Sequence, residues 1–318
     1  MTIVEARAMQ SETNSDKVLA LGELLWDMLP SRKLLGGAPA NYCFRLRQLG
    51  VPALMVSRIG EDVLGRELID GLTELNFDLS LLQSDTDTPT GTVDVKLTSD
   101  GNPSFTINPD VAYDNLEWTT TLETAAKEAS FVCFGTLAQR TNKGRSTIYT
   151  LLDTASQATK FLDINLRRNC YSKETIHRSL ELTNILKLNQ SEVNMVASLL
   201  KIETTEPEAF SEIIMKHFRI DTILITLSEK GVLAVDTSIG SVTVPGIRVS
   251  VVDTIGSGDA FSAGFTYKFL SGAPLEECCQ FGNITGAMHA TYAGGMPVIP
   301  LEAVEKFIME SQLKEAVA

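Results

Sequence analysis

No apolar stretch in this chain approaches the ~20 residues that a membrane-spanning helix needs, so no membrane partner is expected. Cysteine is sparse, with five residues in all (Cys43, Cys133, Cys170, Cys278 and Cys279). None is spaced as C-x-x-C, and the odd number disfavours a disulfide framework. The three histidines are scattered, which leaves little material for a transition-metal site. Positive charge is short as well. Against 40 acidic residues stand 27 Lys and Arg, a net charge of −13, which argues against nonspecific binding to nucleic acid or to anionic membranes. Residues 1–16 are polar and lack the apolar centre of a secretory signal. They are expected to form a loose tail, and a reducing cytoplasm is the default location.

What the chain has is a substantial core. Hydrophobic residues make up 44% of its 318 positions, enough for one large α/β domain. Short β-branched and apolar runs predict strands over Val18–Leu25, Ala53–Ile59, Phe131–Phe134, Phe161–Ile164, Ile185–Leu188 and Thr222–Leu227. Helical patterns fall between most of them, over Pro39–Leu49, Leu64–Leu75, Gly144–Ala158, Glu192–Leu200 and Pro207–His217. Such alternation predicts a parallel, doubly wound sheet covered by helices on both faces. Ligands then bind beyond the carboxyl ends of the strands, the rim where Asp163-Ile164-Asn165, Asn189 and Thr226 are expected. One stretch breaks the pattern. Thr88–Ile107 alternates apolar and polar residues around Ser99-Asp100-Gly101-Asn102 and predicts a hairpin with one exposed face. With a further strand near Met28–Leu35, it predicts a small sheet, either decorative or a lid that excludes water.

The chemistry concentrates in Asp253-Thr254-Ile255-Gly256-Ser257-Gly258-Asp259. Two glycines and a serine let the backbone curl, and Phe261, Phe265 and Phe269 then recur at helical spacing. A curled loop entering a helix presents unpaired N–H groups and the positive end of a dipole, a combination that binds phosphate. A carboxylate there would repel phosphate, unless Asp259 faces a hydroxyl and takes its proton while the amides stabilise the transferring group. The alternative is structural, an acidic residue in a first helical turn that merely complements the dipole. No Lys-Ser/Thr pair closes the loop, so it is not a Walker loop, and its glycines lack dinucleotide-fold spacing.

Gly36-Gly37-Ala38-Pro39-Ala40-Asn41 is the second motif. Pro39 suits a first helical turn, the glycines allow a polar ligand close to the backbone, and Asn41 offers a donor and an acceptor to sugar hydroxyls. Asp27, after the first strand, can accept two hydroxyl hydrogen bonds. A helix cap and a solvated turn are the respective alternatives.

These segments together with Gly60-Glu61-Asp62, Gly65 and Asn189-Gln190-Ser191-Glu192 resemble the ribokinase (PfkB) family of sugar kinases over roughly residues 18–300. The opening Gly22-Glu23…Asp27 and Asp163-Ile164-Asn165-Leu166-Arg167 resemble its fructokinase branch. The resemblance implies a ribokinase-like three-layer α/β/α sheet over residues 17–318, with a β-sheet lid formed by about 28–36 and 88–113. It implies Asp259 as catalytic base and Gly256, Ser257 and Gly258 as the anion hole, with Ser257 where the family usually has Ala. Asp27, Gly36, Gly37 and Asn41 would hold the sugar. Arg167 would contact the sugar or its product phosphate, or else form a buried ion pair. Asn189, Thr226, Ser228, Gly231 and Asn283 would hold ATP, and Glu192 would act on Mg²⁺ through water. The Asn189/Glu192 pair also reads as a helix capping box. Asp253 with Ala290–Gly295 resembles the family's monovalent-cation loop, commonly potassium.

The implied activity is ATP-dependent phosphorylation of a ketohexose, with D-fructose the expected acceptor, by a monomer or by a homodimer formed through the lid. Ribose, 2-keto-3-deoxygluconate, another sugar or a nucleoside are alternative acceptors. A sugar-binding scaffold without activity is the alternative of a different class.

Overall fold

The computed structural model describes residues 17–97, 103–167, 169–300, 302–304 and 306–309. The expected tail over residues 1–16 and the turn at 99–102 lie outside them.

Strand β1 (Val18–Leu21) is wholly buried, and its alternating side chains enter two different cores. Val18 and Ala20 face one cluster, Leu19 and Leu21 the other, because successive residues of a strand point to opposite faces. The chain then turns at Gly22 and begins a second strand, β2 (Leu25–Met28), which pairs with β3 (Lys33–Gly36). The single strand predicted over Val18–Leu25 is therefore two strands in two sheets. The break falls at Gly22-Glu23, a glycine and a charged residue that mark a turn within the apolar run. β4 (Ala53–Gly60) and β5 (Leu82–Asp85) continue parallel to β1 on one side. On the other side follow β8 (Phe131–Phe134), β9 (Thr159–Asp163), β10 (Ile185–Asn189) and β11 (Thr222–Thr226), also parallel. The sheet closes with β12 (Val232–Asp236) and β13 (Gly240–Val244), both antiparallel to their neighbours. The sheet has nine strands in the order β13-β12-β11-β10-β9-β8-β1-β4-β5, and is mixed rather than the all-parallel sheet expected. The missed edge hairpin includes β13, where only Val244 is fully buried, so its residues carry little apolar signal.

Helices cover both faces. α1 (Ala38–Gln48), α2 (Val63–Glu74), α8 (Ser257–Leu270) and α9 (Leu275–His289) share one core. α3 (Thr120–Glu128), α4 (Asn142–Thr154), α5 (Lys173–Glu181), α6 (Gln190–Leu200) and α7 (Pro207–Phe218) share the other. The result is the three-layer α/β/α arrangement. All five cysteines are buried and unbridged. Among the described residues, no helix is long and apolar enough to cross a membrane.

The small sheet is four-stranded, in the order β3-β2-β6-β7, with β6 (Gly91–Leu97) and β7 (Pro103–Ile107) forming the predicted hairpin. It includes residues 25–27, before the expected start of the lid. Asp62 fastens it to the body. Its carboxylate caps α2 through the Gly65 N–H (2.7 Å) and accepts from the Thr90 N–H (2.9 Å) and Oγ1 (2.8 Å) at the foot of β6. Sequence order reverses between β1 and β8, the switch point of the sheet, where a crevice opens beyond the strand ends.

Candidate active site

A cavity of about 350 Å³ occupies that crevice. Glu23 after β1, Leu137 after β8, and Asp163, Lys187, Asn189 and Thr226 at or near the ends of β9, β10 and β11 line it. Asp27 and Val93 reach it from the small sheet, and Gly256, Gly258 and Asp259 from the start of α8. The sheet order thus converts strand ends far apart in sequence into one wall.

Helix α8 starts without a side-chain cap: Gly256 is its N-cap with φ +78°. That conformation suits glycine, and a methyl group there would also lie 2.8 Å from His289 Nε2. The N–H groups of Gly256, Gly258 and Asp259 make no hydrogen bond among the described residues, whereas the Ser257 N–H donates to the Thr254 carbonyl at 3.2 Å. Ser257 was expected among the free donors. The turn that curls the loop consumes its N–H, and Asp259's own amide is the third free one.

Asp259, half-buried in the first turn, accepts a hydrogen bond from Asn41 Nδ2 at 2.8 Å. Burial pushes its carboxyl up to about 6, and nearby Asp163 adds to the rise while the Asn41 bond opposes it. Asn41, expected on the sugar, lines the cavity itself and also holds this carboxylate. Asp27 makes no hydrogen bond among the described residues, so its acceptors face the cavity free. Burial raises it to about 6 as well. Gly36 does not line the cavity, but a methyl group on it would come within 2.4 Å of Asp27 Oδ2. Gly37 (φ +109°) lets α1 begin at the cavity edge.

Two cavity residues, Glu23 and Lys187, were not singled out as site residues, and Asp163 was placed only on the rim. Glu23, 5% exposed, is pushed up to about 7 by burial. Lys187 is buried and bonds Asp163 Oδ2 at 2.7 Å, an oxygen that also accepts from Ser262 Oγ at 2.9 Å. Burial works against the Lys187 ammonium, but Asp163 outweighs it and holds the group above its ordinary value. A methyl group on Gly258 would lie 3.3 Å from Lys187 Nζ, so this cation sits beside Gly258 at the cavity wall. A charged residue inside an apolar strand (Ile-Leu-Lys-Leu) was the available signal.

Asn189 and Glu192 form the capping box of α6, with reciprocal bonds of 3.0 and 2.8 Å, and both also face the cavity. The second Glu192 oxygen accepts the Leu166 N–H at 2.9 Å. Thr226 lines the cavity; Ser228, Gly231 and Asn283 do not. Gly231 and Asn283 gather instead around residues 244–246, where Asn283 Nδ2 donates to the Pro245 carbonyl at 2.9 Å. Ser228 is exposed two residues beyond Thr226. Arg167 is exposed at the cavity wall with no ion pair among the described residues, so the buried pair considered for it does not form.

Asp253 stands outside the cavity. Its oxygens accept the Ile255 N–H (3.0 Å) and the Gly294 N–H (2.9 Å). Among the described residues, no cluster of three or more His, Cys, Asp or Glu side chains can hold a metal ion.

Residues 29–301 match the model of the pfkB family carbohydrate kinases. Fructokinase-1 of Oryza sativa subsp. japonica is 27% identical over 326 residues, covering 93% of this chain and 98% of that protein. Aminoimidazole riboside kinase of Salmonella typhimurium is 26% identical over 319 residues, covering 95% and 98%. Among solved structures, fructokinase with bound ATP from Xylella fastidiosa superposes with a TM-score of 0.85 at 22% identity, over 94% of this chain and 100% of that one. A double mutant of Vibrio cholerae fructokinase, bound to fructose, ADP and potassium, gives 0.78 at 24% identity, over 92% and 98%. At such identities the superpositions establish the ribokinase-like fold.

Proposed function

The chain belongs to the pfkB family of carbohydrate kinases, and on that premise we propose that it transfers the terminal phosphoryl group of ATP to a primary hydroxyl of a ketohexose, D-fructose. The observation that carries the reading is the placement of Asp259. One carboxylate, raised toward neutrality and oriented by Asn41, shares a cavity with the unpaired amides of Gly256 and Gly258 and with the free carboxylate of Asp27.

The chemistry follows from that placement. Asp27 accepts hydroxyl hydrogen bonds and aims the primary hydroxyl at Asp259. Asp259 takes the hydroxyl proton as the oxygen attacks the γ-phosphorus in line. The amides of residues 256, 258 and 259 stabilise the charge on the transferring group, and Lys187 adds positive potential beside Gly258. Phosphoryl transfer is governed by positioning and electrostatics, so these parts suffice in kind. ATP would lie along Asn189 and Thr226, with its base toward Ser228, Gly231 and Asn283.

The wall around Asn189 and Glu192 offers hard oxygen donors, which fit magnesium. Both Glu192 oxygens already accept backbone N–H groups, so Glu192 would hold the ion through water. Magnesium bound with ATP offsets phosphate charge. A cytoplasmic enzyme is the setting we propose.

A second acceptor class is favoured by Arg167, exposed and unpaired at the cavity wall. It suits a carboxylated sugar such as 2-keto-3-deoxygluconate. Coupled measurement of ADP release across ketohexoses, aldopentoses, sugar acids and nucleosides decides between them. Asp259→Asn tests the mechanism. Turnover should fall by about 10²–10⁴-fold with sugar and ATP affinity retained, and near-normal turnover would overturn the assignment. Sugar binding without ADP release in the unaltered protein would favour the inactive scaffold.

A further inference from the structure

Behind the anion loop lies a buried pair that the mechanism above does not use. Arg45 is 4% exposed, one turn after Asn41 on α1, and has no carboxylate partner among the described residues. Its guanidinium approaches His289 Nδ1 (3.3 Å) and the Pro297 carbonyl (3.3 Å), and bonds Gln48. His289, 1% exposed at the end of α9, places Nε2 at 2.9 Å from the Ile255 carbonyl and 3.1 Å from the Gly294 carbonyl. The tautomer follows from the partners. A guanidinium only donates, so Nδ1 accepts, and two carbonyls only accept, so Nε2 carries the proton. One imidazole N–H therefore ties the loop entering α8 to the loop leaving α9.

This is the region where a monovalent cation was expected, and the donor set does not fit one. Both Asp253 oxygens accept chain N–H groups. The Ala290 carbonyl accepts from Val252 N–H at 2.8 Å, and the Ile255 and Gly294 carbonyls converge on the imidazole. A cation drawn to those two carbonyls would face an N–H hydrogen, with an arginine charge one ring-width behind it, and the nearby Asp253 carboxylate already accepts two chain N–H groups. Arg45 also polarises the ring and strengthens the Nε2–H donor. The close approach depends on Gly256, since a side chain at that position would collide with Nε2.

We infer that His289, backed by Arg45, takes the place of a monovalent cation between the 253–256 and 289–297 loops, so that turnover by this chain is independent of potassium. The inference rests on the kinase reading for its effect on turnover, but not for the cross-link itself. His289 and Arg45 are positioning residues: they hold the backbone whose amides meet the phosphoryl group, and neither touches substrate.

The test compares potassium chloride with tetramethylammonium chloride at constant ionic strength, on the full chain. For the unaltered protein, the thermal midpoint and kcat with the sugar identified in the acceptor screen should be the same in both salts. His289→Ala should lose about tenfold to a hundredfold in kcat in the tetramethylammonium salt, with little change in KM for sugar. Potassium should restore part of that loss and raise the variant's midpoint. His289→Gln, which keeps an N–H donor, should retain most of the turnover. A potassium-specific rise in midpoint, or severalfold activation, of the unaltered protein overturns the inference. The midpoint comparison needs no turnover, so a failure of the kinase reading shows separately, as absence of ADP release with every sugar.

Discussion

Asn41 donates its side-chain N–H to Asp259 Oδ2 at 2.8 Å, joining residues 218 positions apart in the chain. The bond fastens the first turn of α1 to the first turn of α8, and it favours the ionised form of the carboxylate that we propose as base. Asp259 must be ionised to accept a proton. With its carboxyl held near 6 by burial first and Asp163 second, kcat should climb as pH rises through about 6 and decline below it.

Replacing Asn41 removes one of the groups that lower that value. Asn41→Ala should therefore move the acid limb of the kcat–pH profile upward, measured in steady state across the acid range. A limb that stays in place or moves down would show that Asn41 does not tune the base.

Asp27 offers its acceptors free to the cavity, and a hydrogen bond to a charged group contributes about 1.5–3 kcal/mol. Asp27→Ala should raise KM for the sugar by roughly tenfold to a hundredfold and leave KM for ATP near its original value. An equal rise in both constants would place Asp27 in general folding rather than sugar binding.

Lys187 and Asp163 form a buried ion pair at 2.7 Å. Lys187→Met leaves the Asp163 charge without its partner and should cost about 3–5 kcal/mol of stability in denaturant unfolding. Adding Asp163→Asn should recover much of the stability but not the turnover, because the positive charge beside Gly258 is still missing. Full recovery of kcat in the double variant would make the pair purely structural.

Glu23 has a folded-state value of about 7 against an ordinary 4.5, with burial the leading cause. The folded form binds its proton more tightly than the unfolded form. Its contribution to stability is therefore complete below 4.5 and is lost as pH rises through 7. Glu23→Gln should raise the unfolding free energy at pH above 7 by on the order of 2–3 kcal/mol, and the gain should vanish near pH 4. A gain that persists in acid would point to packing instead of ionisation.

Much of the fold was legible because burial leaves periodic traces. β8, β9, β10 and β11 are short apolar runs, and α1, α4 and α7 carry helical spacing, so each was found within a few residues of its ends. The misses share a cause. β13 is mostly solvent-facing and so leaves little apolar pattern, whereas the break at Gly22-Glu23 is marked by a glycine and a charge but is flanked by apolar residues that extend both strands. α9 buries Cys278, Cys279, Phe281 and Thr285 mainly against α8, a stabilisation that tertiary contact supplies and propensity does not.

By itself the sequence determined the local chemistry: a glycine-rich curl entering a helix, a carboxylate at its third helical position, and a second glycine pair before Asn41. Those are properties of neighbouring residues, fixed by which side chains allow positive φ and which leave amides unpaired. Only the tertiary structure decided which distant groups would meet there. Lys187 reaches Gly258, Asn41 reaches Asp259, and His289 reaches Ile255 because strand order and helix packing bring their backbones together. Side-chain ionisation then depends on burial and on those long-range partners, which no pattern along the chain encodes.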